Sequence, residues 1–144
     1  MQIVNWMKTE LRTIKPLDSI EHARVLMEEH RINQLPVVRE GHLVGIVTDR
    51  DLRDAYPSVL ADPMRKQTPD PHAVKVESVM TTNVLTLTPA DSVVAAASLM
   101  RRERVGAVPI VDGKRLVGIL TRSDLLEALV ACSALTESPR ASHR

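Results

Sequence analysis

The chain has 144 residues, 44% of them apolar, and its 19 lysines and arginines nearly balance 18 aspartates and glutamates. That length accommodates one ordinary domain or two very small ones on a shared core, and the balanced charge leaves no broad positive field for nucleic acid or an anionic membrane. With no phenylalanine, one tryptophan (Trp6) and one tyrosine (Tyr56), the core must be built from Val, Leu, Ile, Ala and Met, which suits β-branched strands packed on Leu/Ala/Met helices.

The opening MQIVNWMKTELR carries a charge among its first eight residues and no long apolar run, which argues against a signal peptide or a membrane span. A single cysteine, Cys132, admits no internal disulfide. A cytoplasmic location is expected.

From Met7 onward the chain repeats itself at a constant offset of 73: Met7 matches Met80, Pro16 Pro89, Met27 Met100, Pro36 Pro109 and Gly45 Gly118. No gap is needed as far as Ala55, and about twenty of roughly fifty aligned pairs are identical. Two copies are too few for a solenoid, so the expected arrangement is two pseudo-twofold-related halves forming one compact module.

Each copy reads alike in chain order. A short extended piece (Arg12 to Ile14, Val84 to Leu87) leads through a proline to LDSIE or ADSVV, where Asp18 or Asp91 is placed to cap a helix; only the first copy adds Glu21 at the capping-box position. Ile20, Ala23, Leu26 and Met27, and likewise Val93, Ala96, Leu99 and Met100, then form one apolar helical stripe. Two apolar strands follow, LPVV and LVGIV in one copy, VPIV and LVGIL in the other, parted by turns at Glu40-Gly41 and Asp112-Gly113. A last helix opens at TDRDLRDA or TRSDLLEALVA.

The expected fold class is therefore α/β (α+β), each repeat running β-α-β-β-α. The first repeat is set at 1–56, a linker at 57–75, the second repeat at 76–132 and a disordered tail at 133–144. The linker holds prolines 57, 63, 69 and 71 among polar residues, and the tail SALTESPRASHR is polar and patternless.

The candidate chemistry sits at Thr48-x-x-Asp51 and Thr121-x-x-Asp124. One reading is a capping box, in which a Thr hydroxyl accepts from the amide three residues on and the acid reaches back. The other places a sugar-phosphate there: free helix amides receive a phosphate, and a carboxylate accepts hydrogen bonds from ribose hydroxyls. The two are compatible, since a capping carboxylate keeps spare lone pairs.

The order of elements, the LPVV…G…LVGIVTxxDL block and its ungapped recurrence resemble a tandem pair of CBS domains, a Bateman module, over about nine-tenths of the chain. Pairs of this length, with TDRDLR in the first copy, are similar to small stand-alone bacterial CBS proteins of the acetoin-utilisation type. That resemblance implies a regulatory module sensing an adenine nucleotide or adenosyl compound (AMP, ADP, ATP or S-adenosylmethionine) in a cleft between repeats and transmitting it by conformational or oligomeric change. Carried over by position, one cleft would combine Thr121 and Asp124 with Ile14, Ile32, Asn33 and Gln34. The other would combine Thr48 and Asp51 with Leu87, Val105, Gly106 and Ala107. Arg31, Arg104, Arg50 and Arg122 are the candidate phosphate cations, each also readable as a solvated surface arginine.

A homodimer acting on an unidentified effector protein is expected as well, supported by SVVAAASLM, which is apolar nearly all round. The alternative is a constitutive dimerisation or scaffold protein without a small-molecule ligand. An enzyme is not expected, because no nucleophile-base-orienter set appears. Nor is a metal: His22, His42, His72 and His143 have no ligand spacing with one another or with Cys132.

Overall fold

The computed structural model describes residues 1–56 and 70–136. Most of the linker expected at 57–75 and of the tail expected at 133–144 therefore lies outside the described residues. The class is α+β. Its elements are α1 (Ile20–His30), β1 (Gln34–Arg39), β2 (His42–Thr48), α2 (Asp49–Ala55), α3 (Val93–Glu103), β3 (Ala107–Asp112), β4 (Arg115–Thr121) and α4 (Arg122–Thr136), with short 3-10 turns at Ile3–Asn5 and Val76–Ser78.

The helix caps differ from expectation by one residue. Ser19 and Ser92 are the N-caps of α1 and α3, their hydroxyl oxygens accepting from His22 N at 3.0 Å and Ala95 N at 2.9 Å. Asp18 and Asp91 are engaged one step earlier. Each closes a turn with a proline at its second position, Lys15–Asp18 or Thr88–Asp91, accepting from Lys15 N at 2.9 Å and Thr88 N at 2.8 Å, and so is not available to the helix. Both helices end at an arginine, Arg31 with φ 53° and Arg104 with φ 56°, in the left-handed position that usually falls to glycine.

The β1–β2 hairpin runs from Gln34 opposite Thr48 to Arg39 opposite His42, with a register slip between Val37 and Val38. Glu40 and Gly41 both have positive φ, as a type I′ turn requires. In the second copy Asp112 still belongs to β3, and the turn residues are Gly113 and Lys114, with Gly113 at φ 65°. The expected Asp112-Gly113 turn is thus displaced by one, because the glycine serves as the first turn residue. The extended pieces expected before each first helix are reduced to single parallel bridges, Ile14 to Val37 and Leu87 to Ile110.

The chain divides into two compact units, and they cut across the repeats. One consists of Met1–Glu10, Thr86–Asp112 and the described residues from Val117; the other of the described residues of Leu11–Leu85 with Gly113–Leu116. The opening segment of each repeat packs in the unit that holds the other repeat's helices and strands. In the first unit Ile3, Val93, Ala96, Leu99, Met100, Val108, Ile110, Leu120 and Ala128 form the buried core. In the second the core is Ile14, Ile20, Ala23, Met27, Leu35, Val37, Val47, Leu52 and Val76. Ala23 and Ala96, at matching positions, are fully buried, where a small side chain brings helix close to sheet. The end of the expected linker also belongs to the second unit: Val74 O accepts from Ile20 N at 2.9 Å, and Lys75 bridges Ser19.

Glu21, freed from capping, ties α1 to the end of α2. It takes a forked pair of hydrogen bonds from Arg24 and one from the Tyr56 hydroxyl at 2.8 Å. Arg24 foremost, then the Tyr56 phenol, holds the Glu21 carboxyl down at about 2, and burial followed by the Glu21 hydrogen bond pushes Tyr56 up to about 12. The fold favours the neutral phenol, so the tyrosine's contribution is whole below pH 10 and is lost as pH rises toward 12. The glutamate's is present above pH 4.5 and is lost as pH falls toward 2. Tyr56 is the only tyrosine, so phenolate absorbance reports it alone. We expect a titration midpoint near 12 that Glu21→Gln lowers without bringing it fully to 10, since burial remains. A wild-type midpoint near 10 contradicts the network.

Candidate functional site

Each Thr-x-x-Asp motif lies where a strand runs into a helix. In the first copy Thr48 ends β2 and caps α2 in a complete reciprocal box: its Oγ1 accepts from Asp51 N at 3.1 Å, and its own N–H donates to Asp51 Oδ2 at 2.9 Å. In the second copy only half of that box forms. Thr121 N–H donates to Asp124 Oδ2 at 2.8 Å, but the Thr121 hydroxyl donates to the same oxygen at 3.0 Å instead of accepting from the helix.

The two acids then part company. Asp124 is the one buried charged residue among those described, 2% exposed, and its Oδ1 is ion-paired to the Nζ of Lys8. Asp51 is half-buried, and no described cation reaches ion-pair range of it. A carboxylate offers about four acceptor directions. Asp124 has filled three, and Asp51 only one among the described residues.

Lys8 reaches Asp124 because its backbone is bonded to the motif strand. Lys8 N–H donates to Ile119 O at 2.9 Å, and Ile119 N–H returns the bond at 3.0 Å. Gly118 makes that approach possible: a Cβ there would stand 2.6 Å from Met7 Sδ and 3.1 Å from Lys8 O. The other copy is built in the same way. Thr81, the counterpart of Lys8, exchanges two bonds with Ile46, and a Cβ on Gly45 would meet Met80 Sδ at 2.6 Å and Thr81 O at 3.0 Å. The recurring Met and Gly are therefore one device, a methionine laid over a bare strand position.

Gln34 lies opposite Thr48 in the hairpin, and Asn33 O accepts from Asp49 N at 2.9 Å, so these residues gather around the first motif. Ile32 and Asn33 also line a cavity of about 480 Å³ beside Asp49, Leu52, Arg53 and Tyr56. Ile14 lines a different, larger one of about 840 Å³. Around the second motif, Gly106 O accepts from Arg122 N at 3.2 Å, and the Arg122 guanidinium carbon lies 3.6 Å from where a Gly106 Cβ would be. Val105 is half-buried with its N–H on Met100 O, Ala107 opens β3 and Leu87 bridges Ile110.

Each motif thus adjoins the first-strand residues of its own repeat. The combinations implied by resemblance join residues of different units. Arg31, Arg104, Arg50 and Arg122 are all exposed. Lys8 escaped the sequence reading. The signal for it was the 73-residue offset, which sets Lys8 against Thr81 directly after the repeated methionine.

The family model for the CBS domain matches residues 2–58 and 76–131, and the chain belongs to the CBS domain family as a tandem pair. A CBS domain-containing protein of Dictyostelium discoideum is 40% identical over 127 residues, covering 86% of this chain and 88% of that one. Among solved structures, the AcuB protein of Vibrio cholerae, ascribed to acetoin utilization, superposes with a TM-score of 0.79 at 25% identity over 96% of this chain and 98% of its own. CBSX2 in complex with AMP gives a TM-score of 0.78 at 26% identity, with 92% and 98% covered. The CBS domain pair of protein MJ0100, in complex with 5′-methylthioadenosine and S-adenosyl-L-methionine, gives 0.73 at 30%, with 90% and 99% covered. No helix among the described residues is long and apolar enough to cross a membrane.

Because a backbone oxygen cannot yield as a side chain can, Gly118→Ala and Gly45→Ala are each expected to lower stability by about 1–3 kcal/mol. Thermal or urea unfolding reads this directly. Unchanged stability in both variants would show that the methionine segments are held some other way.

Proposed function

We propose that the chain is a non-catalytic regulatory module that binds an adenosine-containing small molecule through Thr48 and Asp51 and through Thr121 and Asp124. The observation carrying this reading is that both copies keep a Thr-anchored carboxylate with acceptor capacity to spare, in a chain that resembles CBS pairs solved with AMP and with adenosyl compounds. The aspartates accept ribose hydroxyls. Ile14, Ile32, Asn33 and Gln34, with Leu87, Val105, Gly106 and Ala107, supply the apolar and main-chain surface for the base, and Arg31, Arg104, Arg50 and Arg122 are the cations available for phosphate. The linker at 57–75 and the cytoplasmic location belong to the same reading, whereas the tail expected from 133 begins later, since α4 continues through Thr136.

The scaffold alternative is favoured by one observation, the complete capping box at Thr48 and Asp51, which explains that motif without a ligand. Melting the protein with AMP, ADP, ATP, S-adenosylmethionine and adenosine separates the two. A ligand at a hundredfold over its dissociation constant adds about 2.7 kcal/mol, and no response across the panel favours the scaffold. Asp51→Asn and Asp124→Asn, which keep an acceptor for the Thr amides, are expected to weaken binding at least tenfold each at their own site. Asp124→Ala is a poorer probe than its sequence suggests: both substitutions at Asp124 take the carboxylate from Lys8, but alanine also strands the Thr121 amide.

As a switch, such a module moves its population only by the ligand's differential affinity for two states, about 1.4 kcal/mol for each factor of ten. The states belong to a homodimer in this proposal. Its support is the exposed apolar side chains of Val94 on α3 and of Leu126, Leu129 and Val130 on α4, each more than 60% accessible. Light scattering at micromolar concentration should return twice the chain mass; a monomer mass ends the dimer proposal.

A further inference from the structure

We infer that Lys8 makes the Thr121–Asp124 site selective for phosphorylated adenosine over uncharged or cationic adenosyl compounds, whereas the Thr48–Asp51 site, with threonine in the corresponding place, lacks that selectivity. The inference rests on the proposed adenosine binding.

The geometry of the lysine carries it. Its ammonium has three donors, and the structure uses one of them, on Asp124 Oδ1. The side chain remains 52% exposed while the acid it grips is 2% exposed. A free surface lysine samples many rotamers, and an incoming anion must order it. Here the buried carboxylate and the two backbone bonds between Lys8 and Ile119 already hold the cation, so an anion meets a positioned charge with two donors unspent.

The surrounding charges lean the same way. After the threonine the second copy has Arg122, whose guanidinium lies over Gly106, where the first copy has Asp49. Asp49 is itself met by Arg53 at 4.0 Å on the exposed face of α2, and Arg50 is the remaining nearby cation of that motif. The second motif thus carries Lys8 on its acid and Arg122 beside the threonine; the first carries there a second acid, Asp49, paired with an exposed arginine, and Arg50 next in sequence. Acceptor capacity differs in the opposite sense. Asp124 has about one direction left for a ribose hydroxyl and Asp51 about three among the described residues. An adenosyl compound without phosphate therefore gains little at Asp124, since the lysine competes with its ribose and returns no anion contact. A nucleotide recovers the loss through its phosphate, which carries about two negative charges.

The test is calorimetric titration of AMP and of adenosine into the full chain carrying Asp51→Asn, so that the Asp124 site is read alone. We expect AMP to bind at least tenfold tighter than adenosine, a ratio worth about 1.4 kcal/mol. Lys8→Thr should bring the ratio near one, Lys8→Arg should preserve it, and raising salt should weaken AMP but not adenosine. The reciprocal Thr81→Lys, in an Asp124→Asn background, should raise the AMP preference of the first site. If no adenosine compound binds the wild-type chain, the proposed function fails. If AMP binds and Lys8→Thr leaves the ratio unchanged, or tightens both ligands because the lysine had been a plug, this inference alone fails. Should Lys8→Thr not fold, a salt-insensitive ratio near one in the Asp51→Asn chain overturns it equally.

Discussion

The structure depends on a main-chain contact between the start of one repeat and the last strand of the other: Lys8 with Ile119, and Thr81 with Ile46. Each is a pair of backbone hydrogen bonds made possible by a glycine one residue before the strand partner, over which a methionine lies. A strand that feeds a helix has an edge to satisfy, and an unpaired edge in a small protein is both a stability cost and an invitation to aggregation. Here the edge is met at one residue of the segment that opens the opposite repeat, Lys8 in one copy and Thr81 in the other. Ile3 reinforces the same docking from below, fully buried in its unit with its N–H on Asp91 O at 2.9 Å, as Val76 does in the other with its N–H on Asp18 O at 2.8 Å.

That contact explains which parts of the molecule were legible in its letters. The helices announced themselves through Ile20, Ala23 and Met27 and their counterparts, because burial at helical spacing is a local pattern. The hairpins followed from apolar runs broken by glycine, and the capping box at Thr48 and Asp51 from spacing alone. What stayed hidden was non-local. An offset of 73 says that Met7 and Met80 are equivalent, but equivalence does not say in which unit either one packs, since both answers satisfy the same periodicity. Competition between neighbouring polar residues was equally opaque. Asp18 and Ser19 are both good caps, and the choice was made by the turn through Pro16, which took the aspartate.

The candidate site divides along the same line. Thr48 and Asp51, and Thr121 and Asp124, were legible as pairs because their bonds span three residues. The difference between them was not, because it comes from a lysine 116 positions away. Duplication set two like frames, and substitutions inside the exchanged segment changed one frame's charge without disturbing its backbone. Residue 8 and residue 81 make the same two bonds to the same kind of strand, one as lysine and the other as threonine.

A stability argument alone does not account for Lys8. An exposed ammonium on a buried acid gains modest Coulomb energy and loses side-chain freedom, and pairs of this kind contribute little net stabilisation, whereas removing one partner leaves the other's charge uncompensated. The first repeat shows that the frame closes without it: Thr48 and Asp51 complete their box and Ile46 keeps both backbone bonds with a threonine in the lysine's place. If only folding were at stake, the half-buried, self-capped acid of the first copy would be the cheaper solution in both. Burying Asp124 and holding a lysine over it makes sense when the cation is there to meet something that the fold itself does not contain, and the exposed side of that ammonium is where such a partner would have to arrive.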